Sequence, residues 1–499
     1  MKLKYFKLLI VIAGIASACS CKKMLDINKD PDSLPSSFSV YPQLLSGAQV
    51  NLGFESGSDL FRYSTIIMQQ MSGLASEANQ TWHISRYNIT GSDQNNLWSS
   101  MYASTLSDLE LIIKQSTTAG SPHYAGLAKL LKAYEFSKAV DTWGDIPFSD
   151  ALKYDANTKP KYDDDAAIYP ALIALINEAI TDMNAAASVL SPGNNSVIYT
   201  NASWPAARAS WIKFANTLKL RLLLRYSKTD PAFCVAQITT LVNTAGITFM
   251  ASNADNFQMK FYDVANQRNP ISAFEVSRPN YVFADAKMVG MMNTKSDPRR
   301  PFYFSDFPVG SGTYVGVPSN PAPATPTNNY SRIHTYLRGA VTAPATGTNS
   351  AVYSGAAPAR MLTYAEYCFI RSEAALMGAP GDPQMWFTNG ITASMQDAGV
   401  AAADITAYLA VNGTLTGSDA QKLQQIIEEK YIANFGVILE PWNDWRRTGY
   451  PALAIPSNVI NTVSAVPRSL FYPQSEIDLN PNNPGQKPAN LQAKVFWDN

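Results

Sequence analysis

Apolar residues recur at three- and four-residue spacing through most of the chain beyond position 40, the signature of amphipathic helices. Over 41–74 the stripe runs through Leu44, Leu45, Ala48, Leu60, Tyr63, Ile66, Ile67 and Met71, with a break near Gly53–Gly57. Leu97, Met101, Leu106, Leu109 and Ile112 predict a helix over 97–113. Leu127, Leu130, Leu131, Tyr134 and Ala139 predict another over 124–140, stopped by Gly144 and Pro147. Longer helices are expected over 166–190 and 203–226. After a gap, helices resume over 361–377, 383–397, 404–410, 419–435 and 440–447. The helices pair as helix–turn–helix units of tetratricopeptide size without a strict 34-residue period. Trp98, Tyr102 and Tyr134 are the expected packing anchors between them. The predicted class is mainly α, with a tetratricopeptide-like scaffold of helical hairpins and a loop-rich, ligand-binding half.

The gap is residues 250–360, where helical periodicity fades and Gly, Pro, Ser, Thr and Asn accumulate. Long irregular stretches in a compact body are usually functional or disordered. Here Tyr281, Phe283, Tyr303, Phe304, Tyr314, Tyr330 and Tyr336 punctuate the stretch, which favours function. The tail after Pro451 is rich in Pro and Asn and is expected to wrap the surface. A single domain is expected over 41–499, its irregular region about 250–360.

The first 20 residues read differently. Lys2, Lys4 and Lys7 precede an apolar run from Leu8 to Ala18, shorter than the roughly 20 residues a membrane span needs. Small residues then lead into Cys19, Ser20 and Cys21. This is the form of a bacterial lipoprotein signal over 1–20, with the acylated cysteine at the new N-terminus. Cys19 and Cys21 both follow a small residue; Cys21 is favoured because Lys22 and Lys23 open a polar stretch there. Residues 21–40 are then a lipid anchor and tether, with the protein attached to a membrane rather than crossing it.

Charge narrows the chemistry. Lys+Arg 39 against Asp+Glu 39 leaves no net charge, which argues against nucleic acid as a partner. Charged residues make up only 16% of the chain, while Tyr 25, Trp 9 and Phe 21 supply many rings, a balance suited to neutral ligands such as sugars. Three histidines show no metal-ligand spacing, and no cofactor is expected. Cys234 and Cys368 lie in apolar helical contexts; their even number permits a disulfide, and buried free thiols are the favoured state. No nucleophile elbow or phosphate loop occurs. Asp163-Asp164-Asp165 invites a glycosidase or calcium reading, but its place before a long helix fits N-capping and dipole compensation. Glu428, Glu429 and Glu440 sit near Lys430 and Arg446-Arg447, where ion pairing accounts for them.

Several segments, in order, resemble the SusD/RagB family of outer-membrane nutrient-binding lipoproteins, specifically its SusD-like branch. They are Cys21 to Asn28 with Asp30-Pro31; Ala133-Tyr134-Glu135-Phe136 with Asp141-Thr142-Trp143-Gly144-Asp145-Ile146-Pro147-Phe148; Tyr162-Asp163 ahead of Ile168-Tyr169-Pro170; and Trp211 to Arg221. Leu362-Thr363-Tyr364-Ala365-Glu366, Glu373-Ala374-Ala375 and the decapeptide from Trp442 to Pro451 complete the set. These segments read as scaffold: Trp442, Trp445 and Tyr450 as core anchors, Arg446 or Arg447 as partners for Glu366 or Glu373.

The resemblance implies a binding protein without enzymatic activity, lipid-anchored at the cell surface in the outer membrane. Its partner would be a SusC-like TonB-dependent transporter barrel, to which it delivers an oligosaccharide or polysaccharide. A peptide-binding lid of the same architecture and an anchored hydrolase with an unrecognised site are the alternatives. Two loop regions carry rings among polar neighbours: 79–88 and 281–336. The expected ligand pool is Trp82, Tyr87, Tyr281, Tyr314, Tyr330 and Tyr336. Trp82 leads it, since Asn79, Gln80, Thr81 and His83 make burial in the core least expected there.

Overall fold

The computed structural model describes residues 40–73, 79–318, 329–345, 351–460 and 463–498. The signal, the tether and both candidate lipidation sites, Cys19 and Cys21, lie outside them.

The first half is a run of helices: α1 (Tyr41–Glu55), α2 (Asp59–Ile67), α3 (Gln80–Ser85), α4 (Asn95–Ser99), α5 (Ser107–Thr118), α6 (Pro122–Trp143), α7 (Asp165–Met183), α8 (Trp204–Leu224) and α9 (Pro231–Asn243). A π-helical turn, Ser100–Leu106, joins α4 to α5, so the single helix expected over 97–113 is a longer, locally unwound rod. The extra residue turns Ser100 and Thr105 toward α1, where both hydroxyls donate to Glu55 Oε1, at 2.8 and 2.7 Å. The antiparallel pair α6 and α7 is the heart of the scaffold. Gly126 lets it close: a methyl group there would sit 2.7 Å from the Ala179 carbonyl and 2.8 Å from the Met183 amide. By length and composition α7 is also apolar enough to cross a membrane. Its Ile168, Leu172, Ile176, Ala179 and Met183 are instead buried in the main core. The helix stops at Met183 rather than 190, because the chain beyond it returns to α6 and Val189 N donates to the Gly120 carbonyl.

The C-terminal helices α14 (Tyr364–Leu376), α15 (Pro383–Ala398), α16 (Ala402–Asn412), α17 (Asp419–Ala433) and α18 (Glu440–Thr448) pack as further hairpins, and a short α19 spans Gln474–Leu479. Between the two sets, 250–360 is less irregular than its composition suggests. It holds α10 (Pro270–Ser277), α11 (Ala286–Thr294), and one-turn helices α12 (Arg300–Tyr303) and α13 (Thr335–Arg338). The starts of α10 and α11 are set by capping. Asn269 Oδ1 accepts Ile271 N ahead of α10, and Asp285 Oδ1 accepts Lys287 N at α11, at 2.8 and 2.7 Å.

Among the described residues there are three two-stranded antiparallel ribbons: β1 (Met71–Ser72) with β3 (Phe283–Ala284) and β2 (Phe257–Met259) with β6 (Ala359–Leu362) link distant segments, and β4 (Val341–Ala343) with β5 (Val352–Tyr353) is local. The chain is thus mainly α, a tetratricopeptide-like helical scaffold with a loop-rich side, and Tyr41–Asn499 pack as one compact unit.

The hallmark segments lock that scaffold together. α6 ends at Gly144 (φ +74°), whose left-handed backbone turns the chain into Asp145-Ile146-Pro147. Asp141 Oδ2 accepts Asn443 Nδ2 at 2.7 Å and Arg225 at 3.2 Å, while Arg446 Nη2 donates to the Asp141 carbonyl at 2.7 Å. Arg447 pairs with both Glu373 and Asp444, Lys430 with Asp444, Arg221 with Glu366, and Arg225 with Glu440. All of these groups are buried. Trp442 is fully buried and its Nε1 donates to the Pro467 carbonyl at 2.8 Å; Trp445 is only partly buried, under Arg468. The tail departs from expectation. It inserts Leu470, Val495 and Trp497 into the core, and Phe471 accepts Trp143 Nε1 at 2.9 Å. Cys234 and Cys368 are free, buried thiols, both pushed up to about 12 by burial.

Candidate functional site

The ribbon β1–β3 joins the two loop regions singled out in the sequence. Met71 pairs with Ala284 and Ser72 with Phe283, directly ahead of 79–88 and directly after Tyr281. Thr81 Oγ1 donates to the Tyr281 carbonyl. The face extends through Val317 N to the Ala284 carbonyl (2.8 Å) and Ala284 N to the Ser331 carbonyl (3.0 Å). Backbone bonds therefore join residues 79–90, 274–285, 315–317 and 330–338; Phe283, Ala284, Val317 and Ser331 are buried at the junction, while Gln80, Thr90, Arg278, Tyr281 and Tyr330 reach the surface around it.

At one end of it, α3 begins at Asn79, whose Oδ1 accepts Thr81 N at 3.0 Å. The chain then turns sharply at Tyr87 (φ +56°), bringing Asn88 back so that its Nδ2 lies 3.1 Å from His83 Nδ1. This encloses a cleft of about 380 Å³ lined by Tyr63, Gln80, His83, Ile84, Asn88, Ile89, Thr90 and Asp93. Its polar groups are partly organised: Asp93 Oδ2 accepts both the amide and the hydroxyl of Thr90, at 2.8 and 2.7 Å. Hydroxyl, amide, imidazole and carboxylate groups around an apolar floor are donors and acceptors for sugar hydroxyls or a peptide backbone.

The expected ligand rings separate into two groups. Trp82 is 5% exposed and lies in the interior beneath Arg86; the expectation that its polar neighbours keep it out of the core is corrected, because α3 turns that side inward. Tyr87 is buried at the turn, and Tyr336 is buried between Arg360, 3.6 Å over its ring, and Tyr303, with its hydroxyl donating to Asp397 at 3.1 Å. None of these three presents a free ring face. Tyr281, Tyr314 and Tyr330 are partly exposed. Tyr281 packs edge-on to Phe274 at 6.0 Å, Tyr330 covers Phe283 and Val317, and Tyr314 lies under Arg300. Tyr281 lies two residues before Phe283, which Tyr330 covers and over whose ring Arg332 sits at 4.8 Å.

Sequence reasoning missed the polar companions of these rings. Tyr63, Asp93, Asn280 and Arg332 carry no motif. Arg332 Nη2 donates to Asn280 Oδ1, a contact across 52 positions that no local pattern encodes. The acidic residues considered as catalytic or calcium sites are structural. Asp164 caps α7 through Ala166 N (2.9 Å), Asp163 Oδ2 accepts Phe148 N and Ser149 N (3.1 and 2.6 Å), and Asp165 Oδ2 accepts Phe496 N (2.9 Å). Glu429 and Glu440 are consumed by buried ion pairs, their carboxyls held down to about 2 by neighbouring Arg and Lys against the cost of burial. A second groove of about 480 Å³ lies on the helical scaffold between Pro231, Leu376, Met377 and Leu423, with its Glu373 already paired to Arg447.

A helical-hairpin scaffold with a loop-rich side that carries rings and polar groups around a cleft is an arrangement suited to binding. The chain belongs to the SusD-like family described as starch-binding and associating with the outer membrane, whose profile matches residues 35–473. Among solved structures it is similar to a chitin-binding protein, with a TM-score of 0.75 and 24% identity over 92% of this chain and 99% of that one. It is likewise similar to a SusD homolog from Bacteroides uniformis (TM-score 0.72, 22% identity, 91% and 99% covered). A SusD homolog from Bacteroides fragilis gives 0.71 and 21%, with 92% and 99% covered. At these identities the likeness carries the fold. No curated protein matches the chain.

Proposed function

We propose that this protein is a lipid-anchored cell-surface protein that captures an oligosaccharide or polysaccharide on the joined loop face and delivers it to a SusC-like TonB-dependent transporter. It acts by binding and catalyses no reaction. The observation that carries the reading is the union of 79–90 with 274–285 and 330–338 into one face, bearing Tyr281 and Tyr330 beside the cleft of Gln80, His83, Asn88 and Asp93. A ring stacked on a pyranose covers its C–H surface, while flanking amide and acid groups bond the hydroxyls. The family's association with starch and the outer membrane, and the chitin-binding relative, support a glycan as the ligand class. Acylation at Cys21 and a tether over 22–40 would hold the body at the membrane surface.

The test is a glycan array followed by calorimetry on the soluble 22–499 form. Binding of a glycan that Tyr281→Ala weakens is the expected result. Binding of peptides with no glycan recognised would replace this reading with the peptide-capturing one. Hydrolysis of a bound glycan would sink the non-enzymatic part.

A further inference from the structure

The loop face carries more positive charge than its pairing accounts for. Four arginines approach it on α2, on α10 and its C-terminal extension, and around α13: Arg62, Arg278, Arg332 and Arg338. Arg62 is paired with Asp59. Arg278 is exposed, reaching Ser277 Oγ at 3.4 Å and lying over the Phe274 ring at 5.4 Å, with no paired carboxylate among the described residues. Arg332 bonds the neutral Asn280. Arg338 is the telling one. It is 5% exposed, its Nε has no hydrogen-bond partner, and its guanidinium lies 3.9 Å over the ring of Tyr353. Among the described residues neither Arg332 nor Arg338 has an ion-paired carboxylate.

The acid that faces them is Glu275 on α10. It is 4% exposed and its Oε1 has no partner either. A buried carboxylate beside one buried guanidinium, Arg338, and one half-buried one, Arg332, would ordinarily close into a pair, since each group left unmet is costly. These stay apart. Burial holds Arg332 and Arg338 below the usual arginine range against the pull of Glu275, with repulsion from Arg338 added at Arg332, and burial pushes Glu275 up to about 7 despite both cations. Elsewhere the chain closes such pairs, as at Arg221–Glu366 and Arg447–Glu373.

We propose that Arg332 and Arg338 take the carboxylate or sulfate of an acidic sugar, so that the polysaccharide captured is an anionic one. This rests on the reading of the face as a glycan site and names its ligand class. Tyr281 and Tyr330 would stack on the chain while the guanidiniums supply charge-assisted hydrogen bonds to the acid group. Glu275 opposes the incoming charge and takes up a proton when the anion binds. The charged and titratable groups that face it are Arg332, Arg338, Tyr353 and Arg62. Affinity therefore rises as pH falls from 8 to 6.

The experiment is calorimetry of the soluble 22–499 form with oligogalacturonate as the carboxylate probe, a sulfated galactan as the sulfate probe, and malto- and chito-oligosaccharides as neutral probes. The expected result is binding of at least one acidic probe, whichever anion it bears, with tenfold or greater loss in both Arg338→Gln and Arg332→Gln. Two variants guard against misfolding of one, and each is read only with an unchanged melting curve. Glu275→Gln should tighten acidic binding at pH 8 and flatten its pH dependence. Failure of both acidic probes to bind overturns the proposal. So does an equal loss of neutral and acidic binding in the arginine variants. Neutral oligosaccharides bound alone would remove the anionic assignment and leave the glycan site standing; peptides bound alone would remove both.

Discussion

Trp442→Ala is the sharpest test of the scaffold reading. The indole is fully buried in the main core, its Nε1 donates to Pro467 O at 2.8 Å, and Arg446 lies 4.4 Å over its ring. Burial of a tryptophan removes about 200 Å² from water, which at about 25 cal/mol per Å² is about 5 kcal/mol. Truncation to alanine keeps little of that and leaves a cavity, so a loss of about 3–5 kcal/mol is expected. An unfolding entropy of about 2.1 cal/mol/K per residue, over about 460 folded residues, is roughly 1 kcal/mol/K, and the melting temperature should fall about 3–5 °C. Trp442→Phe keeps most of the apolar contact and orphans the Pro467 carbonyl, for about 1–3 kcal/mol. Trp445→Ala should cost less than Trp442→Ala, because Trp445 is only partly buried, beneath Arg468. Differential scanning calorimetry of the three variants at one scan rate gives the order. A Trp445→Ala loss as large as that of Trp442→Ala, or an unmoved transition in Trp442→Ala, would refute the assignment of this decapeptide to the core.

Other expectations can be checked alongside. Asp285 is fully buried and pushed up to about 8, so its folded form holds a proton that the unfolded chain releases near pH 4. Its contribution to stability therefore falls as pH rises from about 4 to 8. Asp285→Asn keeps the acceptor for Lys287 N and should raise stability at pH 8 by at least about 1 kcal/mol in urea titration, with little change at pH 4; a loss at both would sink the argument. Tyr281→Ala should weaken glycan binding about tenfold with an intact fold, whereas Trp82→Ala should lower the melting temperature as well, the buried indole being lost from the interior. A Trp82→Ala protein with unchanged melting and lost binding would return that ring to the site. Cys21→Ala should release the protein from membranes in fractionation while Cys19→Ala leaves it bound; the reverse pattern would move the anchor to Cys19.

The helical scaffold is legible in local pattern alone, because long stripes such as Leu127, Leu130, Leu131 and Tyr134 report a buried face whatever it packs against. One ionic link was foreshadowed: Arg446 or Arg447 with Glu366 or Glu373 was legible as a pairing of two hallmark segments, and Arg447 with Glu373 is the combination that forms. Asp141 with Asn443 and Arg225 was not, since partners 302 and 84 positions apart have no local signature. The short helices α10 and α11, apolar in themselves, were hidden inside a longer stretch rich in Gly, Pro, Ser, Thr and Asn, although Asn269-Pro270 and the capping Asp285 marked their starts. The tail looked like surface covering, and only docking against α6 and α7 made Val495 and Trp497 core residues. The same holds for the site. Polar neighbours placed Trp82 outside the interior on local grounds, but burial is decided by what a face meets, and α3 turns that ring inward. The meeting of Tyr281 with Tyr330, Arg332 and the cleft at His83 depends on a two-residue ribbon and a few backbone bonds between distant loops. Such ribbons leave almost no pattern in a sequence, because their stability comes from the scaffold on which both loops are mounted.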